Sequence, residues 1–596
     1  MARSAYTGTL LVVMWTAWQS VVGWQQVGNV GDIARFGFLL FQIFALVQLA
    51  LTLFFAPLSA ASAITTEKDR RTFTLLLVTD LTNSEIVLGK LLGSLLQISV
   101  LLAAAFPVFA LCLLLGGVSI AQVAATFALT VAVAVATGAL GLVIALWRER
   151  TFQTLALTAL VVVIYFLGVE GIFGVLPEGK LAGLSTADWK VVFSPFSALV
   201  AIASPGSDQG GLGRVFGPVG IGSLAYLFLA SAAVTAVGIA KLRTWNLTSE
   251  TLEPCESPAE HEGGVGTKSA QAQTEAVNTG DAGRETLLAP QLAGHRLGGP
   301  GARERTRRPS REVWDSPILW REIVTRAYGR RSLMIKAGYL LFFAMTLAYL
   351  YAQRGTGAEA ALAIRALVPL AVLSLLLINA QAVVSVTSER DSGALDLLLV
   401  TDITPKEFIF GKLGGVFYNT KEMIVPPLVF CVLGWLGGYF SGEVFVYLSL
   451  AYLVLAAFSA MLGLHAALAH ETTRAAVASS LGTVFFLFVG ILICIFLILI
   501  SGSFERQLPS FALFIIGGSL GLYASLGARN PSRAIALAAG MCPLLTFYSI
   551  GSILLGASLG PFLVATAAYG FATLAMLIPA VSEFDVALGR TTAHEG

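Results

Sequence analysis

Residues 120–147 read IAQVAATFALTVAVAVATGALGLVIALW, without one charged side chain. A run of that kind crosses a hydrocarbon core of roughly 30 Å as a single helix. In lipid every backbone N–H and C=O must find a partner, which leaves helices or a closed barrel as the spanning forms. Comparable runs recur near 6–24, 36–64, 86–116, 152–176 and 217–241, then near 333–352, 361–386, 408–438, 442–469 and 474–501, and again near 510–526, 534–556 and 560–582. The expected fold is therefore an all-α polytopic membrane protein. Charged residues make up 12% of the chain, against about 25% in an average soluble domain, and the mean hydropathy of +0.81 agrees. The first run, after the single Arg3, lacks a small-residue cleavage site and reads as an uncleaved span.

Other classes fall away. A net charge of +2 supplies no field for nucleic acid. The five cysteines (Cys112, Cys255, Cys431, Cys494 and Cys542) are far apart and form neither a disulfide framework nor a metal knuckle. His465 and His470 are five apart on one helix, out of register for a shared ligand face, so no metal site is expected.

The chain divides into a first transmembrane half (1–245), a linker (246–312) and a second transmembrane half (313–596). The linker is polar and almost free of aromatic residues, so it reads as a disordered tether. The second half carries two runs more than the first. They are either an extra pair of spans or a re-entrant hairpin over 510–556, for a total of 12–14 spans. Lys68, Arg70, Arg71, Arg148, Arg150, Lys241, Arg243, Arg330, Arg331, Arg390 and Arg474 gather on one side of this topology, while Arg35, Lys180 and Arg354 lie on the other. The crowded side is expected to be cytoplasmic, in the cell inner membrane, with the linker and both termini on that side.

One charged passage occurs twice. EKDRRTFTLLLVTDLTNSEIVLGKLLG (67–93) and ERDSGALDLLLVTDITPKEFIFGKLGG (389–415) align without gaps at an offset of 322, with 14 of 27 residues identical. Six spans per half return the chain to its starting side. The halves are then parallel and related by a pseudo-two-fold axis along the membrane normal. Thr82 with Glu85, and Thr404 with Glu407, are capping boxes that start the third span of each half, with Pro405 at a first helical position. Before each box, TLLLVTD and DLLLVTD predict an apolar helix too short to span. It either packs on its own membrane domain or fits a socket in a partner.

The passage resembles the segment between the second and third spans of type-2 ABC exporter permeases, including the group associated with multicopper-enzyme maturation. The resemblance implies a permease subunit whose short helices dock on a cytoplasmic ABC ATPase, in two copies. It implies no cofactor in this chain, since ATP and Mg would be bound by the partner. The coupling residues on this reading are Glu67, Leu75, Leu77 and Asp80 in the first half, and Glu389, Leu397, Leu399 and Asp402 in the second. The family's usual glycine stands at Gly393, whereas the first half has Arg71, which leaves open whether both halves couple equally. DSPILWREIVTRAYGRR (315–331) resembles the interfacial elbow helix of the same permeases, with Ser316 as N-cap. Ile318, Leu319, Ile323 and Val324 are expected on its apolar face, and Arg321, Glu322, Thr325 and Arg326 on its polar one. The first half opens on MARSAYTG with no such helix, through loss on fusion or a start codon recorded too late.

No motor accompanies these helices. GVLPEGKL (174–181) lacks the Ser or Thr that must follow Lys180 to hold magnesium, and no strand precedes it, so the chain is not expected to be an enzyme. Glu170, Lys421 and Glu422 lie deep in spans and are candidates for a transport pathway or for mutual neutralisation. Two rival functions remain at this point: a membrane scaffold or sensor that keeps the fold, and an ion-driven carrier using Lys421 and Glu422.

Overall fold

The computed structural model describes residues 30–69, 72–148, 151–175, 179–181, 184–203, 218–251, 316–324, 333–352, 359–391, 393–487, 504–527, 532–554, 558–582 and 584. The expected first span (6–24), most of the linker and the end of the 474–501 run lie outside them. The protein is an all-α polytopic membrane protein, with ten described helices long and apolar enough to cross a bilayer.

The first half contains α1 (Val30–Asp69), the short α2 (Phe73–Val78), α3 (Asn83–Leu115), α4 (Ile120–Trp147) and α5 (Thr151–Val175). A two-residue hairpin, β1 (Lys180–Leu181) and β2 (Leu184–Ser185), leads to α6 (Thr186–Phe193), α7 (Pro195–Ile202) and α8 (Pro218–Thr251). Helix α4 carries no charge on any side, and its neighbours bury most of it: it packs against α1, α3 and α8, with Val131 left exposed. The second half contains α9 (Pro317–Val324), α10 (Leu333–Ala352), α11 (Glu359–Asp391), the short α12 (Ala394–Leu399), α13 (Pro405–Leu436), α14 (Gly442–Ala469) and α15 (Thr473–Phe485). It closes with α16 (Phe504–Leu526), α17 (Arg533–Leu554) and α18 (Leu559–Ser582).

The duplication extends well beyond the repeated passage. Gly141 of α4 lies against Pro57 of α1, where an added Cβ would come within 2.6 Å of the Pro57 oxygen. At the same offset of 322, Gly463 of α14 lies against Asn379 of α11, again with 2.6 Å to the backbone oxygen. Only a residue without a side chain permits that crossing of second and fourth spans. Phe73 and Leu395, 322 positions apart, are both buried under the short helices.

Both repeated passages lie at one end of the helix bundle, here the motif end. A single cleft there is lined by Thr66, next to the first passage, and by Asp391, inside the second. The halves join through α5, whose Leu157 and Leu160 pack with Ile335, Tyr339 and Leu377 of the second half.

The two additional helices of the second half cross the bundle. His465, near the end of α14, has its Nε2 2.7 Å from the Leu526 carbonyl at the end of α16, which puts the α16–α17 turn at the motif end. Tyr447 stacks on Phe562 at the far end, while Phe584 meets Phe408 at the motif end. Helix α17 thus runs from the motif end to the far end before α18 returns. Its 22 residues reach about 33 Å, enough to cross. In the first half the same connection is made by α6 and α7, held at the far end by Gln42 to Ala203 O and Gln122 to Ile202 O.

Candidate functional site

The short helices form where the passage predicted them, and each has two unlike faces. In α2, Phe73 and Leu77 are buried on Ile64, Ile86 and Leu91, whereas Leu75 (69% exposed) and Val78 (85%) point away from the bundle. In α12, Leu395 is buried, and Leu397 (75%) and Val400 (84%) project outward. Leu77, expected at the docking surface, is therefore a core residue. The side chain of Leu399 lies outside the described residues. Val78 and Val400 were missed, although a spacing of three from Leu75 and Leu397 puts each pair on one helical face. Asp80 and Asp402 are exposed just beyond the two helices.

Both capping boxes are complete. Thr82 N–H donates to Glu85 at 2.8 Å and Glu85 N–H to the Thr82 hydroxyl at 3.3 Å. The Thr404–Glu407 box has the corresponding distances of 3.0 and 3.3 Å. Arg243 of α8 donates to Asn83 and to the Leu81 carbonyl, tying the last span of the first half to the loop behind α2. The entries differ. Gly393 begins α12 at φ 72°, a left-handed backbone that favours glycine. In the first half Thr72 N–H bonds back to Glu67 O, and Arg71 lies outside the described residues.

Glu67 and Glu389, expected as coupling contacts, are each held in an ion pair. Glu67 pairs with Lys90 of α3, and Glu389 with Lys412 of α13, both lysines lying within the repeated passages. The adjacent base does a second job in each half. Lys68 donates to the carbonyls of Ala145, Leu146 and Arg148, and Arg390 to those of Ala467 and His470. These carbonyls end the fourth spans, where a helix leaves acceptors unpaired and its dipole favours a cation. The second pair has further members. Lys412 is fully buried, 2.7 Å from Glu322 and 2.6 Å from Glu389, and donates to Ser385 O, while Arg321 pairs with Glu389. Helix α9 thus places Glu322 on its buried face with Ile318, not on the polar face expected from its pattern. It lies over Gly411 and Gly415, where a methyl group would strike Ile318 and Glu322. Lys90, by contrast, is 28% exposed.

The charges within the spans separate. Glu422 pairs with Lys336 of α10 at 2.8 Å, and the exposed Lys421 lies over the Tyr418 ring, so the two do not line a shared route. The side chain of Glu170 lies outside the described residues. His465 is a buried packing residue bonded to Leu526 O, and the described residues contain no cluster of metal-ligating side chains.

A cavity of about 380 Å³ lies between the halves at the motif end. Ser62, Thr65 and Thr66 of α1 line one wall; Asp391, Glu471 and Arg474 line the other. The hydroxyls at 62, 65 and 66 are legible as a polar stripe of helical spacing, but their partners are distant in sequence.

Residues 16–243 match the family model described as ABC-2 family transporter protein. Over those residues the chain is similar to ABC-2-type permeases. No curated protein matches closely enough to serve as a relative. Such a permease domain is a membrane transport component, and the match covers the first half up to Arg243, the residue that braces the loop behind α2. The second half repeats its capping box, its Glu–Lys pair and its span-end clasp at the offset of 322.

Proposed function

We propose that the chain is the membrane subunit of an ATP-driven exporter, energised by a separate ABC ATPase in two copies, one docked on each repeated passage. The observation that carries this reading is the matched pair of exposed apolar corners, Leu75 with Val78 and Leu397 with Val400. Each corner would add roughly 3–6 kcal/mol if fully buried, taking about 1.5–3 kcal/mol per side chain. Micromolar binding amounts to about 8 kcal/mol, before the cost of association is counted. One corner alone is too weak a dock, and the exposed Asp80 and Asp402 beside the corners offer the polar contacts that would complete it.

The motif end would face the cytoplasm of the inner membrane, a placement supported by the basic residues collected there. The cleft between Ser62 and Arg474 would then open toward the side from which an exporter loads. Closure of the two ATPases would press on α2 and α12 and repack the halves across that cleft. The decisive experiment is purification of the chain from its own host with the bound ATPase, followed by measurement of ATP turnover in lipid. A chain that purifies without any ATPase, from membranes in which that ATPase is present, would sink the proposal.

A further inference from the structure

We propose that Glu67–Lys90 and Glu389–Lys412 are positioning pairs that clamp each short helix to three spans, so that a load on α2 or α12 moves the second, third and fourth spans as one body. The proposal rests on the docking reading above.

Its basis is the wiring of two adjacent residues. Glu67 and Lys68 stand at the end of α1, just before α2 begins. Glu67 reaches the third span at Lys90, and Lys68 clasps the last carbonyls of the fourth. Glu389 and Arg390 repeat both connections in the second half. Helix α2 is thus suspended between an anchor upstream at 67–68 and one downstream at Lys90, with Phe73 and Leu77 seated in the core between them. An isolated surface ion pair contributes about 0–1 kcal/mol and would leave no mechanical trace. Here the pair is doubled by charge-assisted bonds to helix-end carbonyls, which fix direction as well as distance.

The clamps are unequal. The second is closed over by α9, whose Arg321 and Glu322 complete a four-charge cluster around a fully buried Lys412. Among the described residues the first is a two-charge pair with both members more than a quarter exposed. A load on α12 therefore also drags α9 along the membrane surface, whereas among the described residues a load on α2 meets the spans alone.

Two measurements on the full chain in lipid nanodiscs test this. Amide exchange over residues 73–78 is read without any ATPase. Glu67→Lys should raise it about tenfold, as expected when a local anchor is lost, and the swap Glu67→Lys with Lys90→Glu should return it to the starting rate. The second measurement uses the chain purified with its ATPase and reads the labelling rate of Ser62→Cys in the cleft by a small thiol reagent, with and without ATP. ATP should change that rate several-fold in the parent, and by less than about twofold in Glu67→Lys, with the ATPase still bound and turning over. The swap should restore the response. Unchanged exchange in Glu67→Lys, or a swap that restores nothing, overturns the clamp. Faster exchange with a full ATP response overturns its part in transmission. If Glu67→Lys fails to fold, Glu67→Gln and Lys90→Met are read by the same criteria. Loss of the docking reading would appear separately, as a parent chain that holds no ATPase, and the exchange measurement would still judge the clamp.

Discussion

Lys336 of α10 donates to Glu422 of α13 at 2.8 Å, joining two spans of the second half well inside the hydrophobic stretch of α13. Breaking a buried pair costs about 3–5 kcal/mol because a charge is stranded. Both side chains here are roughly a quarter to a third exposed, so a loss of about 1–3 kcal/mol is expected for Lys336→Met. Thermal unfolding in detergent should show the single variant destabilised and the double variant with Glu422→Gln largely recovered. Equal stability of Lys336→Met and the parent would mean that the pair is solvated.

Aspartates at Leu397 and Val400 would bring two charges into any apolar socket, at several kcal/mol each if they stay unpaired. The variant should insert normally and lose its ATPase on affinity purification. Leu75→Asp with Val78→Asp should weaken the other dock. Leu77→Asp should instead impair folding, since Leu77 is in the core. An ATPase retained at full occupancy by the Leu397/Val400 variant would remove these corners from the interface.

The crossing of second and fourth spans is expected to reject even one methyl group. Gly463→Ala would bring a Cβ to 2.6 Å from the Asn379 carbonyl and 2.8 Å from the Ala382 methyl, and overpacking of this kind costs about 1–3 kcal/mol. Gly141→Ala should cost a similar amount against Pro57. Gly482→Ala, with nothing within 4 Å of the added carbon, is the control that should be neutral. Melting temperatures of the three variants make the comparison.

Cysteines placed at residues 69 and 391 should be labelled from the cytoplasm alone, and one at 208 from outside alone. A reporter fused at residue 530 should be cytoplasmic, because Leu526 and Ile535 flank it beside the motif end of α14. Labelling of 69 and 391 from opposite sides would be incompatible with parallel halves.

Helix positions were legible in the sequence, some ends to within a few residues and others, such as that of α8, only to about ten. The 120–147 and 442–469 runs match α4 and α14, because apolar length and a Ser at the start leave little freedom. The capping boxes followed from four residues each. What could not be read was the direction of side chains whose partners are distant. Glu67 looked like an exposed coupling contact because Lys90 is 23 positions away, and the spacing recurs only as Glu389 to Lys412. Glu322 reads as part of a polar stripe until α9 is laid on Gly411 and Gly415. The re-entrant alternative for 510–556 rested on composition alone, whereas one ring nitrogen near a carbonyl, His465 to Leu526, puts the turn at the motif end.

A transporter assembled from two identical polypeptides must accept every substitution twice, once in each copy. Here one polypeptide carries both clamps, so the two can be edited separately. Among the described residues the two differ, with a four-charge cluster around Lys412 and a plain pair at Lys90. An ATPase made as two identical copies would meet one stiff lever and one compliant lever, and its two hydrolysis events need not do equal work.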